Sequence, residues 1–189
     1  GIPAVEEEII TSGYASALYI KENYSNPRVF MIGEEGLKKE LELQRIKTSM
    51  NKCSAVLVGL DRNLNYTKIA TAAKLIQNGA DFLATNLDNT LVAEEGLLPG
   101  AGAIASAVKT ACEKEPIVIG KPSHIMADIV LRKAKVPPNE ILLIGDRIET
   151  DIVMGKKAGM KTALVLTGYA KPEDVEKSDV KPDYVLESL

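Results

Sequence analysis

An α/β architecture with parallel strands follows from three patterns in the 189 residues. Short apolar runs rich in branched side chains alternate with segments of helical periodicity, the order that strand–helix–strand units produce. Runs such as Ala55-Val-Leu-Val-Gly59 and Ile141-Leu-Leu-Ile-Gly145 are apolar throughout, which predicts strands covered by helices on both faces. The second of these leads straight into Gly145-Asp146, where a parallel strand ends and the chain turns over the sheet.

Taken in order, the opening segment 6–23 offers Thr11 and Ser12 as N-caps for a helix. Strands are predicted at Arg28–Ile32, Ala55–Leu60, Asp81–Ala84, Pro116–Ile119, Ile141–Ile144 and Thr162–Leu166. Between them, Tyr66, Ile69, Ala70, Ala73 and Ile76 fall on one helical face. Gly96-Leu-Leu-Pro-Gly-Ala-Gly102 reads as a glycine-rich crossing into a helix at 103–113. After Lys121, Ile125, Ile129 and Val130 mark another helical face. No internal repeat or low-complexity tract interrupts this pattern.

Composition narrows the function classes. Hydrophobic content of 46% and charged content of 26% describe an ordinary globular protein. A net charge of −3, with basic residues scattered among acids, gives no electrostatic footprint for nucleic acid or an anionic membrane. No apolar run approaches the roughly 20 residues of a membrane span, and no signal peptide is visible. Cys53 and Cys112 are too few for a disulfide framework, which predicts a reduced cytoplasmic protein.

The chemistry gathers near the C-terminal half. A carboxylate at Asp146 can ligate Mg²⁺, which prefers hard oxygen donors and takes one or two protein carboxylates beside phosphate oxygens. Asp151 falls near the start of the following helix, where it can reach the metal's water shell or hold a lysine in place. Lys121, after its own short strand, supplies a positive point charge for a phosphoryl group. The competing reading makes Asp146 and Thr150 turn and cap residues and Lys121 a solvated surface lysine. Gly120-Lys-Pro122 upstream, with Gly155 and Gly159 downstream, weighs against it.

The phrases Thr85-Asn-Leu-Asp-Asn-Thr90, Gly96–Gly102, Gly120-Lys-Pro122, Gly145-Asp-Arg-Ile-Glu-Thr-Asp151 and Leu164-Val-Leu-Thr-Gly168 occur in this order. Together they resemble the phosphoglycolate/p-nitrophenyl phosphatase branch of the haloacid dehalogenase-like superfamily. Gly33-Glu-Glu-Gly36 and Gly59-Leu-Asp61 resemble the α/β cap that this branch inserts into its Rossmann-like core. The resemblance implies a core remnant at 1–24, a cap at 25–115 and the C-terminal half of the core at 116–189. It implies Mg²⁺-dependent hydrolysis of a small phosphorylated metabolite through an aspartyl-phosphate. Lys121, Asp146 and Asp151 would be the catalytic set, with Asp146 as metal ligand and Asn86 and Asp88 either substrate contacts or parts of a purely structural turn. Leu91-Val92 continues that last loop where relatives acting on pyridoxal phosphate tend to carry a histidine, which favours phosphoglycolate or a similar small ester. His124, the only histidine, is expected on the rim of the site, and Arg147 is expected either in a structural pair or at a ligand. Caps of this kind often pair between copies, so the partner that the resemblance implies is either a second copy, through the cap, or a completing N-terminal segment.

One departure stands out. No Asp-x-Asp-Gly phrase, where the family's nucleophile lies, exists in the sequence. Thr11 is read as a helix cap rather than the family's phosphate-binding threonine. With Gly1 first, the chain is expected to be N-terminally truncated by two strands and their helices, on the order of 60 residues at about 30 per βαβ unit. The core would then be incomplete, the strand at 141–144 would show an unpaired edge, and the chain alone would be inactive unless another segment completed it. Two other readings remain: a binding or regulatory module retaining the cap, and, less favoured, a receiver-like domain that does not account for the cap phrases.

Overall fold

A computed structural model describes residues 3–94 and 96–189, with Val92 described by its backbone alone. Gly1, from which truncation is expected, lies outside the described residues. The chain divides into two compact units, Gly1–Gly120 and Lys121–Leu189.

The first unit is built on a five-stranded parallel sheet. Its strands are β1 (Arg28–Ile32), β2 (Lys47–Thr48), β3 (Ala55–Val58), β4 (Asp81–Ala84) and, after a hairpin, β7 (Ile117–Val118), in the order β2-β1-β3-β4-β7. The hairpin pairs β5 (Thr90–Ala93) with β6 (Gly96–Pro99) in antiparallel register. Part of the expected glycine-rich crossing is therefore a strand, and the next helix starts at Ala101. Four helices cover the sheet: α1 (Ser12–Asn23), α2 (Glu35–Leu43), α3 (Tyr66–Gln77) and α4 (Ala101–Cys112).

Strand alternation sorts the core into two layers. Val29, Ala55, Leu57 and Leu83 join Ala17 and Ile20 of α1 and Leu41 of α2. Their sequence neighbours Phe30, Ile32, Val56 and Val58 turn the other way, toward Ala72 and Ile76 of α3 and Ile104 and Val108 of α4. Each of the Val, Leu, Ile and Phe side chains contributes about 1.5–3 kcal/mol on burial, and these strands bury both faces as their composition predicts. On α3 the buried stripe runs through Ala72, Ala73 and Ile76, with Ile69 partly buried. Ala70 and Tyr66 lie exposed instead, because the stripe follows the 69, 72, 73, 76 spacing and Tyr66 sits on the first turn.

Side-chain caps fix where helices begin. Thr11 accepts the Tyr14 amide at 2.9 Å, Asn65 that of Lys68 at 3.0 Å, and Ser123 that of Ile125 at 3.2 Å. Thr11 is thus the helix cap that the sequence suggests.

The second unit starts with α5 (His124–Ala134) and carries a three-stranded parallel sheet. Its strands are β8 (Leu142–Gly145), β9 (Lys161–Val165) and β10 (Tyr184–Leu186), in the order β10-β9-β8. Two helices, α6 (Val153–Lys157) and α7 (Pro172–Lys177), complete it. Asp183 pins β10 to β9 by accepting the Thr162 amide at 2.7 Å and hydroxyl at 2.9 Å, while Lys156 donates to it at 2.6 Å. β9 is central and buried. β8 is not buried on both faces as its composition predicts: Leu142 is 45% and Ile144 41% exposed. The reason is position, since β8 is an edge strand and, among the described residues, nothing pairs with its outer side.

Candidate active site

Asp146 follows the last residue of β8, at the carboxyl end of the strand where α/β sheets place their ligands. Its Oδ2 accepts the Tyr169 amide at 2.9 Å, and its own carbonyl accepts the Ala170 amide at 3.0 Å. The loop after β9 is thereby tied over the aspartate. The Arg147 guanidinium stacks on the Tyr169 ring, 4.3 Å from its centroid.

The chain then enters a single wide helical turn, Ile148–Ile152, before α6. Such π-type turns are rare and frequent at functional sites. This one buries Asp151 to 4% exposure. Asp151 Oδ1 accepts the Lys121 ammonium at 2.6 Å, and Oδ2 accepts the Arg147 amide at 3.2 Å. A methyl group on Gly145 would overlap the Asp151 carboxylate, so only glycine lets the strand end meet the turn this closely. The buried carboxylate holds Lys121 at one oxygen and the backbone beside Asp146 at the other. Lys121 keeps about half of its side chain exposed, so its charge remains available to an anion.

His124 is exposed as the first residue of α5. Within this unit the structure therefore brings Lys121 and Asp151 into contact and sets Asp146 one residue from the amide that Asp151 accepts. Nothing in the sequence around Tyr169 marks its amide as a partner of Asp146. The glycine of Thr167-Gly168-Tyr169 was the only signal of that loop's approach.

In the first unit, Asn86 and Asp88 form their own small network. Asn86 donates to Asp88 Oδ2 at 2.6 Å and accepts the Thr85 hydroxyl at 3.0 Å. Asn86 also lines a cleft of about 340 Å³ with Thr11, Gly13, Glu34, Glu40 and Gly59. This cleft opens at the carboxyl ends of β1, β3 and β4, where the strand order reverses between β1 and β3. Glu34 is paired with Arg62 at 2.7 Å. Glu34 belongs to the Gly33-Glu-Glu-Gly36 phrase but carries no site expectation, and Glu40 lies outside every phrase; the strand-end glycines Gly33 and Gly59 mark the crevice that both line.

Among the described residues no cluster of three or more His, Cys, Asp or Glu is arranged to hold a metal by itself. No described helix is long and apolar enough to cross a membrane.

Comparison with known proteins yields a consistent set. The HAD-hydrolase-like family model matches residues 118–189. The 5'-nucleotidase YutF of Bacillus subtilis is 37% identical over 188 residues, spanning all of this chain and 73% of that protein. An acid sugar phosphatase of Staphylococcus aureus is 38% identical over 189 residues, with 73% of its length covered. Among solved structures, the p-nitrophenyl phosphatase from Archaeoglobus fulgidus superposes with a TM-score of 0.93 at 34% identity. That match covers all of this chain and 74% of the other.

Proposed function

Because this chain belongs to the haloacid dehalogenase-like hydrolases, in the branch that includes p-nitrophenyl phosphatases, we propose that it carries the lysine and metal side of a Mg²⁺-dependent site for the phosphate monoester of a small metabolite and is inactive by itself. The observation that carries this reading is the Lys121–Asp151 contact at 2.6 Å beside Asp146 at the end of β8. Lys121 would neutralise a phosphoryl oxygen, and Asp151 would fix the ammonium and the backbone beside Asp146.

The donor set suits the metal. Asp146 offers one hard carboxylate, and Mg²⁺ commonly takes one or two carboxylates and fills its octahedron with water and phosphate oxygens. Bound there, Mg²⁺ would offset the negative charge of the phosphate group. In the same proposal the five-stranded unit serves as the cap, and Asn86 and Asp88 contact the leaving group. We assign α1 to that cap, since Ala17 and Ile20 pack in its core. Phosphoglycolate and p-nitrophenyl phosphate exemplify the substrate size, and copies pair through this unit. A cytoplasmic location suits the two free thiols.

The 189 residues contain no Asp-x-Asp-Gly phrase, so they hold the lysine and metal side of the site without the attacking carboxylate. The same observation favours a second reading, a binding module that retains phosphate affinity without turnover. Calorimetric titration of the 189-residue protein with inorganic phosphate, with and without Mg²⁺, tests the site. Binding that requires Mg²⁺ and is lost in Asp146→Asn is expected, with no hydrolysis of p-nitrophenyl phosphate. Mg²⁺-dependent hydrolysis abolished by Asp146→Asn would show that a nucleophile lies elsewhere in these residues. Phosphate binding indifferent to both Mg²⁺ and Asp146 would overturn the assignment of the site.

A further inference from the structure

The amino ends of the strands in the five-stranded unit carry a second cavity of opposite character. Its volume is about 400 Å³, and Lys21, Tyr24, Arg28, Gln44, Arg45 and Lys47 contribute to its walls. Four of these side chains are cationic, and among the described residues no carboxylate lines the cavity. In a chain of net charge −3, this is a local excess that composition does not foretell.

The strand register makes the excess costly. Arg28 opens β1 and Lys47 opens β2, and the two are direct partners in the parallel ladder. Parallel partners project to the same face about 4.8 Å apart, where like charges repel. Arg45, two residues before Lys47, adds a third charge, and Lys21 a fourth. Among the described residues none of Arg28, Arg45 and Lys47 is held in an ion pair. Lys21 donates to the neutral Gln44 side chain at 3.0 Å. Asp81, at the start of β4, accepts the Tyr24 hydroxyl at 2.7 Å.

Helix ends offset only part of this. α1 and α2 both finish beside the cavity, and each helix C-terminus carries roughly half a negative charge. Four positive charges, against about one from the helix ends and one from Asp81 beside Tyr24, leave about two uncompensated. The cavity volume falls in the range of small-molecule sites, about 300–1,000 Å³, which favours a compact anion over a polymer. Its apolar portion comes from Pro27 and the buried Ile46.

We propose that this cavity binds a phosphorylated small anion, its phosphate group seated among Arg28, Arg45 and Lys47 and any organic part against Tyr24 and Pro27. Its residues all belong to the first unit, and the proposal does not depend on the phosphatase reading.

The test is an amide-resolved NMR titration of the full 189-residue protein. Inorganic phosphate and glucose 6-phosphate are the probes, with sodium chloride at matched ionic strength as control. The amides of Asn26, Ile46 and Lys47 should shift and saturate. In the double variant Arg45→Glu, Lys47→Glu the affinity should fall at least about tenfold, since two exposed charges change sign. Arg28→Gln should weaken binding less, and both sets of changes lie on exposed side chains, so circular dichroism should match the parent. A response to both probes makes the phosphate group the determinant; a response to glucose 6-phosphate alone adds the organic part, and either supports the site. Equal shifts with sodium chloride, or no loss of affinity in the double variant, would overturn it.

Discussion

Gly168 and Asp146 lie in contact across the top of the second unit, close enough that a methyl group on the glycine would overlap the aspartate's carboxylate. The next residue, Tyr169, donates its amide to that same carboxylate. Position 168 therefore controls how the proposed metal ligand is held. Gly168→Ala must displace Asp146 or the loop, and overpacking of this kind costs about 1–3 kcal/mol. Urea unfolding should show that loss, and calorimetry should show weaker Mg²⁺-dependent phosphate binding. Unchanged affinity in a variant that has lost stability would mean that Asp146 is not the group that binds.

Lys121→Met leaves Asp151, only 4% exposed, with the Arg147 amide as its remaining donor. A fully buried pair broken on one side costs about 3–5 kcal/mol. Here the lysine is half exposed, so water can replace part of its role, and about 1–3 kcal/mol is expected. A double-mutant cycle with Asp151→Asn measures the coupling. Additive effects of the two changes would show that the 2.6 Å contact does not couple them.

Asp183 has a folded pKa lowered from 3.8 to about 2, chiefly by the Lys156 hydrogen bond and then by the Thr162 amide and hydroxyl. A depressed carboxylate pKa stabilises the fold above the unfolded value. That contribution declines below pH 3.8 and is gone once the pH has fallen through about 2. Acid unfolding followed by circular dichroism should be shallower over that interval in Asp183→Asn, which starts less stable at neutral pH. Identical acid curves would remove Asp183 from the account.

The exposed Leu142 and Ile144 on an open strand edge are a template for association. Ile144→Lys should slow light-scattering growth on warming while changing stability by no more than about 0.5 kcal/mol. A large destabilisation instead would mean that Ile144 is covered in solution.

The sequence was most legible where physics left one choice. The runs at β1, β3, β4 and β9 are apolar on both faces, and each is a strand within two residues of its expected limits. β2 was not legible, because Lys47-Thr48 is two residues long and exposed on both. β10 was hidden for a similar reason: Tyr184 and Val185 are half exposed on an edge, without the alternation that betrays a half-buried strand. β6 was masked by its own Gly96 and Pro99, which locally signal a turn. In the site, the spacing of Asp146 and Asp151 after a strand was readable, and holding the lysine was one of two roles open to Asp151. The Tyr169 amide on Asp146 was not readable, because it joins residues 23 apart through backbone geometry, and any residue except proline could supply that amide. Nor does the like-charged pair Arg28–Lys47 emerge from sequence, since it depends on a register set by the missed strand.

The contact between Lys121 and Asp151 also has a temporal meaning. It closes a loop of 30 residues, whereas the β8–β9 ladder joins Leu142 to Lys161 across a shorter stretch. Loop closure becomes costlier with length, so the expected order is ladder first and lysine second, an order that stopped-flow refolding of Lys121→Met checks. Contacts made after the folding barrier govern departure from the native state rather than arrival at it. On that order the lysine is a latch on the exit: Lys121→Met should refold at the parent's speed and unfold faster, and slower refolding would place the contact before the barrier.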